Sequence, residues 1–340
     1  MSGLPLLVSD VARWYAVTTV ALGIRTGLID ALLEGGGTVA ELAAAAGVDP
    51  DETARWVDAM VAGGYATRAD GRFTAVEEAL GVMRGGAPVD VRAVVELLVP
   101  IGGLLPRAAA AIRDGDGIRS EEFSAALGMT AERVNAPMYQ ALLLSEWVAG
   151  HPELEVALRE GIDMAEIGPG GGTALRILAA EFPASRFFGF DLDAATVAAA
   201  NANVAADELE NLRFETADVA AIPAAAFDLV CMFDSFHHVT DPDAVLSGMR
   251  ASLRPGGSIL LAEAAVSGDP MKDAEDPTAV ILYGSDLVYC YQESKVAGRP
   301  GMGATWAGRG LNDLLARHGF TETGRVESRA GYLIVRATPS

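Results

Sequence analysis

One stretch constrains this chain more than any other: Met164-Ala-Glu-Ile-Gly-Pro-Gly-Gly-Gly-Thr173. An apolar run ends in Glu166, a glycine-dense turn follows, and Ala174-Leu-Arg-Ile-Leu-Ala-Ala180 then has helical spacing. The pattern predicts strand, tight turn, helix. Glycines at 168, 170 and 172 allow a sharp turn and the close approach of a ligand. The helix beyond them starts with unpaired N–H groups that suit a nucleotide. The same pattern also serves as an ordinary ligand-free αβ turn, so the rest of the chain has to decide.

From Gly161 onward the elements alternate. Strands are expected up to Ile167 and over 185–190, 212–215, 228–233 and 258–263, with helices from Thr173 and over 194–204 and 243–253. Such alternation means an α/β fold with a mostly parallel sheet, helices on both faces and ligands at the carboxyl ends of the strands. After a helix over 310–318, the strands 320–327 and 332–337 follow with no helix between them, so the sheet should end in an antiparallel hairpin.

The first half reads differently. Apolar positions from about Val8 to Leu33 predict one long helix, stopped by Gly35-Gly-Gly37. Thr38 with Glu41 is a capping box for a second helix, and Asp49-Pro50 with Glu52 starts a third that ends at Gly63-Gly64. Two short strands around Asp70-Gly71 complete a winged-helix pattern. The third helix carries Asp49, Asp51, Glu52 and Asp58 against Arg55, the wrong sign for nucleic acid, so packing or dimerisation is the expected role. The partition expected is 1–84 for this dimerising module, 85–150 for a helical connector that covers the site, and 151–340 for the catalytic domain.

Composition narrows the ligand. A formal charge of −21 opposes binding to nucleic acid or to an anionic membrane by bulk electrostatics and leaves a small molecule as the expected partner. Two cysteines, Cys231 and Cys290, give neither a disulfide framework nor a metal spacing, which suits a reducing cytoplasm. The longest apolar stretch, Val94 to Ile112, is expected to be broken by Pro100, Gly102, Gly103 and Pro106 and so not to span a membrane.

Position 173 is Thr where a dinucleotide fingerprint has its third glycine, and Asp191 and Asp218 follow later strands on the same rim. Asp191 suits ribose hydroxyls and Asp218 an exocyclic amine. At these residues the sequence resembles the class I S-adenosylmethionine-dependent methyltransferases, in order through Glu166–Gly172, Gly189-Phe-Asp-Leu192, Ala217-Asp-Val219, Phe227-Asp-Leu-Val230 and Arg254-Pro-Gly-Gly257. The resemblance implies a Rossmann-like seven-stranded sheet and S-adenosyl-L-methionine as cofactor. The residues implied to hold it are Glu166, Gly168, Gly170, Gly172, Asp191, Leu192, Asp218, Val219 and Phe233.

With its N-terminal winged helix the chain resembles, more narrowly, the plant-type small-molecule O-methyltransferases and their bacterial relatives. That resemblance implies a homodimer and a histidine base in the segment His237-His238-Val239-Thr240-Asp241, oriented by Glu263. A histidine suits the task because its pKa lies near working pH. Position 238 is His where the plant-type pattern has Asp, and an His-His pair also occurs in relatives that use no base. His237 as base or as pocket floor therefore both stand. A metal held by His237, His238, Asp234 and Glu263 is not expected, because neighbours in extended chain point opposite ways.

His238, Asp234, Tyr289, Tyr291, Met302 and Trp306 are the expected acceptor contacts, the last four from a segment that includes a mobile glycine-rich loop, Gly298 to Gly303. The reading is methyl transfer to a hydroxyl of an aromatic or polyketide-like metabolite. Alternatives are N- or C-methylation by proximity, a cofactor-sensing winged-helix regulator without catalysis, and a nicotinamide-dependent oxidoreductase, which leaves Thr173 and Asp218 unexplained.

Overall fold

The structure is a computed structural model that describes residues 5–85, 89–123, 125–276, 278–296 and 298–340, with the backbone alone at 125–126 and 128–131. Two compact units are present, Met1–Val99 and Pro100–Ser340.

In the first unit the expected single opening helix is two: α1 (Leu6–Thr26) and α2 (Leu28–Leu33). Gly27 adopts φ 77° and ends α1, a conformation that costs glycine little. The break lets Leu28, Ile29, Leu32 and Leu33 all turn into the core. Helix α3 (Val39–Ala46) starts with the predicted reciprocal Thr38–Glu41 box, and α4 (Pro50–Gly63) is capped by the Asp49 carboxylate. Strands β1 (Ala66–Ala69) and β2 (Arg72–Ala75) pair around Asp70 and Gly71, both at positive φ. Trp56 fixes α4 on α1 by donating its indole N–H to the Thr19 carbonyl at 2.9 Å.

The stretch expected to be broken by proline and glycine is instead one helix, Val91–Asp114, with Pro100 and Pro106 inside it. Each proline removes one helical hydrogen bond, but the carbonyl freed by Pro106 belongs to exposed Gly102, where water can satisfy it. This helix is long and apolar enough to cross a membrane by length and composition alone. Leu98, Val99, Leu105 and Ile112 on it are exposed.

The second unit is built on seven strands: β3 (Asp163–Ile167), β4 (Arg186–Asp191), β5 (Leu212–Thr216), β6 (Phe227–Phe233), β7 (Leu253–Ala264), β8 (Phe320–Ser328) and β9 (Tyr332–Pro339). Their order is β5-β4-β3-β6-β7-β9-β8, parallel except where β9 runs against β7 and β8. The expected alternation and terminal hairpin are therefore both present. Every residue of β3 is buried, as a central strand covered on both faces must be. One face packs Met164, Leu229, Cys231 and Phe233 with Trp147 and Leu175. The other packs Ala165, Val230 and Met232 with Leu246, Leu311 and Leu315.

The amino end of the sheet is closed by ions. Arg186 clasps Asp163 with two hydrogen bonds of 2.6 Å, while Arg254 bridges Asp163 at 2.7 Å and Asp228 at 2.6 Å. Burial works against the Asp163 charge, but the two guanidiniums outweigh it and hold the carboxyl below its ordinary range.

Candidate active site

The glycine turn leaves β3 and enters helix Thr173–Glu181, with Gly168, Gly170 and Gly172 at φ 67°, 54° and 78°. Their reasons differ. A Cβ at Gly172 would lie 2.3 Å from the Phe214 ring, so the close approach of β5 by itself requires glycine here. At Gly168 and Gly170 a Cβ would only touch Ser235 or Glu132 at 3.4 Å. Glu166 is 2 % exposed, and its Oε2 has no hydrogen-bond partner among the described residues. Burial, then the charges of Glu132 and Asp191, push its carboxyl well above the ordinary range. Burial likewise raises Asp191, which accepts the Asp193 N–H at 3.0 Å.

Leu192, next along the rim, is 73 % exposed. Asp218 is exposed and caps the short turn Val219–Ala221 through the Ala220 N–H, and Val219 is half-buried against Gly248. Glu166, Asp191 and Asp218 thus stand at the carboxyl ends of β3, β4 and β5, where an open parallel sheet takes its ligand. Phe233, grouped with them on sequence, has its ring in the core, 5.6 Å from that of Trp147.

At the ends of β6 and β7 a second group forms. His237 Nδ1 lies 2.5 Å from Glu263 Oε2, with the residues 3 % and 0 % exposed. Glu263 Oε1 accepts the Phe236 N–H at 3.0 Å, so both carboxylate oxygens are fixed. Burial opposes the imidazolium, but Glu263, Asp234 and Asp286 outweigh it and raise His237 to about 9. Asp234 takes φ 53°, unusual outside glycine, and accepts from Asn135 Nδ2 at 2.8 Å.

His237 and His238 are not in extended chain. They occupy a 3₁₀ turn, Phe236–His238, that brings their rings to 4.2 Å, so the expectation that they point apart is overturned by the tighter backbone. His237, His238 and Cys290 offer atoms within 4.8 Å of one another, as do Asp234, His237 and Glu263. Each histidine has a carboxylate near Nδ1, His237 with Glu263 at 2.5 Å and His238 with Glu293 at 2.7 Å. Burial and the neighbouring His237 oppose a charge on His238, while Cys290 and Glu293 favour it, and it too stands at about 9.

The segment 283–306 contributes unevenly. The Tyr289 ring lies 5.0 Å from His238 and 5.0 Å from Phe123, whereas Tyr291 sits under the Lys295 ammonium at 5.8 Å. Trp306 packs on Phe236, centroids 5.9 Å apart, and Met302 packs in the same cluster. The loop expected to be mobile is pinned at its far end. Buried Asp286 accepts from Ala304 N, Thr305 N and Thr305 Oγ1, Ser294 Oγ accepts the Met302 N–H, and Gly303 N–H bonds the His237 carbonyl at 3.2 Å. Residue 297, just before it, lies outside the described residues.

Sequence reasoning missed Glu132, Asn135, Asp286, Cys290 and Glu293. The last three lie in or beside a segment already marked as pocket-forming, and their burial was the missing signal. Glu132 and Asn135 sit in a helical connector with no motif around them, and only the fold brings them to the rim.

Residues 165–259 match the family described as a methyltransferase domain. Similar solved structures cover nearly the whole chain. An O-methyltransferase family protein from Burkholderia thailandensis is 17% identical over 99% of both chains, with TM-score 0.72. An O-methyltransferase from neocarzinostatin biosynthesis, solved with S-adenosyl-L-homocysteine and 1,4-dihydroxy-2-naphthoic acid, is 19% identical over 100% of both chains, with TM-score 0.70. Human N-acetylserotonin methyltransferase, in complex with S-adenosylmethionine, is 19% identical over 100% of this chain and 99% of its own, with TM-score 0.67. The search of curated proteins finds no match.

Proposed function

From the premise that this chain carries a class I methyltransferase domain, we propose that it transfers a methyl group from S-adenosyl-L-methionine to a hydroxyl of a small aromatic or polyketide-like acceptor. His237 acts as the general base. The observation that carries the reading is the buried His237–Glu263 dyad at the ends of β6 and β7.

The residues present fit the cofactor. The orphaned Oε2 of buried Glu166 suits its ammonium, Asp191 its ribose, and Asp218 with Val219 and Leu192 its adenine. When bound, the cofactor supplies a methyl on a positive sulfonium that departs as a neutral thioether. Alignment and exclusion of water are then the main contribution of the protein.

Glu263 holds Nδ1 and so leaves Nε2 to take the acceptor proton. A base with pKa about 9 nearly matches a phenol at about 10 and falls far short of an aliphatic alcohol. The match favours an aromatic hydroxyl. Asp234, His238 and Tyr289 border the dyad and are assigned to acceptor binding, as are Tyr291, Met302 and Trp306 from the following segment.

Residues 1–84 are assigned to dimerisation. Leu6, Leu7, Trp14 and Tyr15 on α1 are all more than half exposed, which suits burial against a second copy. Residues 85–150 are assigned to covering the pocket.

The test is His237→Ala with a saturating phenolic acceptor, the melting temperature being followed in parallel. A fall in turnover of about 10²–10⁴ supports the base. Unchanged turnover removes it and leaves proximity alone.

A further inference from the structure

Thr173 stands where a dinucleotide turn has glycine, and the structure shows what its hydroxyl does. It donates to Glu132 Oε1 at 2.5 Å, while the Gly171 N–H donates to Glu132 Oε2 at 3.3 Å. Glu132 belongs to the helix Ala125–Met138, far from the turn in sequence. It lies so close over the turn that a Cβ at Gly171 would come within 2.8 Å of its carboxyl carbon.

One helical turn on, Asn135 donates to Asp234 at 2.8 Å, beside the His237–Glu263 dyad. A further turn on, the Tyr139 hydroxyl donates to the Phe233 carbonyl at the end of β6. Residues 132 and 135 lie one turn apart on this helix, and Tyr139 opens the π-helix Tyr139–Val148 that continues it. A single stripe of polar side chains therefore spans the glycine turn and the acceptor-side carboxylate.

We infer that Glu132 and Asn135 are positioning residues that clamp this helix across the two halves of the site, so that loss of either contact loosens the grip on the methyl donor. The inference rests on the methyltransferase reading above. Electrostatics argues that the clamp is functional rather than a mere packing contact. Glu132 brings a negative charge toward Glu166 and Asp191, which are already crowded acids. A neutral glutamine would hold the helix without that repulsion, whereas three carboxylates around the turn suit a positively charged donor.

The experiment is calorimetric titration of the full chain with S-adenosylhomocysteine, alongside thermal melting, for the native protein, Thr173→Val, Glu132→Ala, their double variant and Asn135→Ala. Thr173→Val removes one hydroxyl at constant shape and reads the same contact even where Glu132→Ala fails to fold. Asn135→Ala touches only the acceptor end, yet it should raise the Kd for S-adenosylhomocysteine by about 5-fold or more, the usual lower range for coupled sites. The double variant should bind no more weakly than Glu132→Ala alone, because both remove one contact.

An Asn135→Ala protein with native Kd overturns the clamp, as does a double variant whose losses add. If the native protein does not bind S-adenosylhomocysteine, the methyltransferase reading falls and takes the clamp with it. If it binds and the variants match it, only the clamp falls.

Discussion

The two ends of the seven-stranded sheet treat charge in opposite ways. At the amino end, Asp163 and Asp228 meet Arg186 and Arg254, and Asp163 is held below its ordinary range. At the carboxyl end, Glu166, Asp191 and Asp234 are buried or half-buried without an arginine or lysine bonded to any of them in the described contacts, and all three are raised. The fold tolerates acids at both ends, but it pairs them with guanidiniums only at one; at the other, histidines face Glu263 and Glu293, and Glu166 and Asp191 have no cation in the described contacts. Carboxyls held above their ordinary range are what a cationic ligand can satisfy, because its charge favours their ionised form, and perturbed carboxyls gather at such sites for that reason.

The largest expected effect breaks the simple form of this contrast, because the carboxyl end also has a purely structural demand. Gly172→Ala forces a left-handed conformation on alanine and drives a methyl into the buried Phe214 ring. The two costs together come to about 2–5 kcal/mol. Chemical denaturation should show that loss, and adding Phe214→Leu should recover the overpacking part. A Gly172→Ala protein as stable as the native one would return this glycine to a ligand-facing role.

Much of this was legible in sequence and some was not. The strand–turn–helix at Glu166, the acids at 191 and 218 and the terminal hairpin rest on local pattern or on order along the chain, the His237–Glu263 pairing rests on the family resemblance, and the structure has them where expected. The break at Gly27 was missed because glycine is tolerated within a helix and only the need to bury Leu28 and Ile29 decides against continuity. The unbroken Val91–Asp114 helix was missed for the converse reason, since proline breaks a helix only where the freed carbonyl cannot find water. Phe214 against Gly172, and Glu132 over Gly171, are contacts between segments about 40 residues apart, and no local pattern encodes them.

Next in size is the pH response of the histidines, which sharpens the contrast by setting activity against stability. His237 and His238 stand at about 9 in the folded chain against about 6.5 in an unfolded one. Their pairing therefore stabilises fully below about pH 6.5, and that stabilisation is lost as pH rises through about 9. The base needs the neutral imidazole, so kcat/KM should climb about tenfold per pH unit up to about 9. Activity should rise over the same interval in which the melting temperature falls. A pH–rate profile flat from 7 to 9 would detach His237 from proton transfer.

At the amino end, Asp163→Asn removes the charge that two guanidiniums share and should cost about 1.5–3 kcal/mol, the range for hydrogen bonds to charged groups, with exposed Arg186 placing it toward the lower end. Turnover per folded molecule should be unchanged, because nothing at that end faces the rim. Loss of turnover without loss of stability would show that the two ends are coupled.

The smallest effect tests the other half of the contrast at a single atom. Glu166→Gln keeps the volume and removes a charge that burial already disfavours, so stability should stay within about 0.5 kcal/mol of native. Affinity for S-adenosylhomocysteine should fall about tenfold, equivalent to about 1.4 kcal/mol. Burial favours the protonated form of this carboxyl and an ammonium beside it favours the ionised form, so binding to the native protein should liberate protons. Calorimetry in two buffers of different ionisation enthalpy counts them, and Glu166→Gln should abolish that share. Proton release identical in the two proteins would mean that the orphaned oxygen of Glu166 is not where the cation binds.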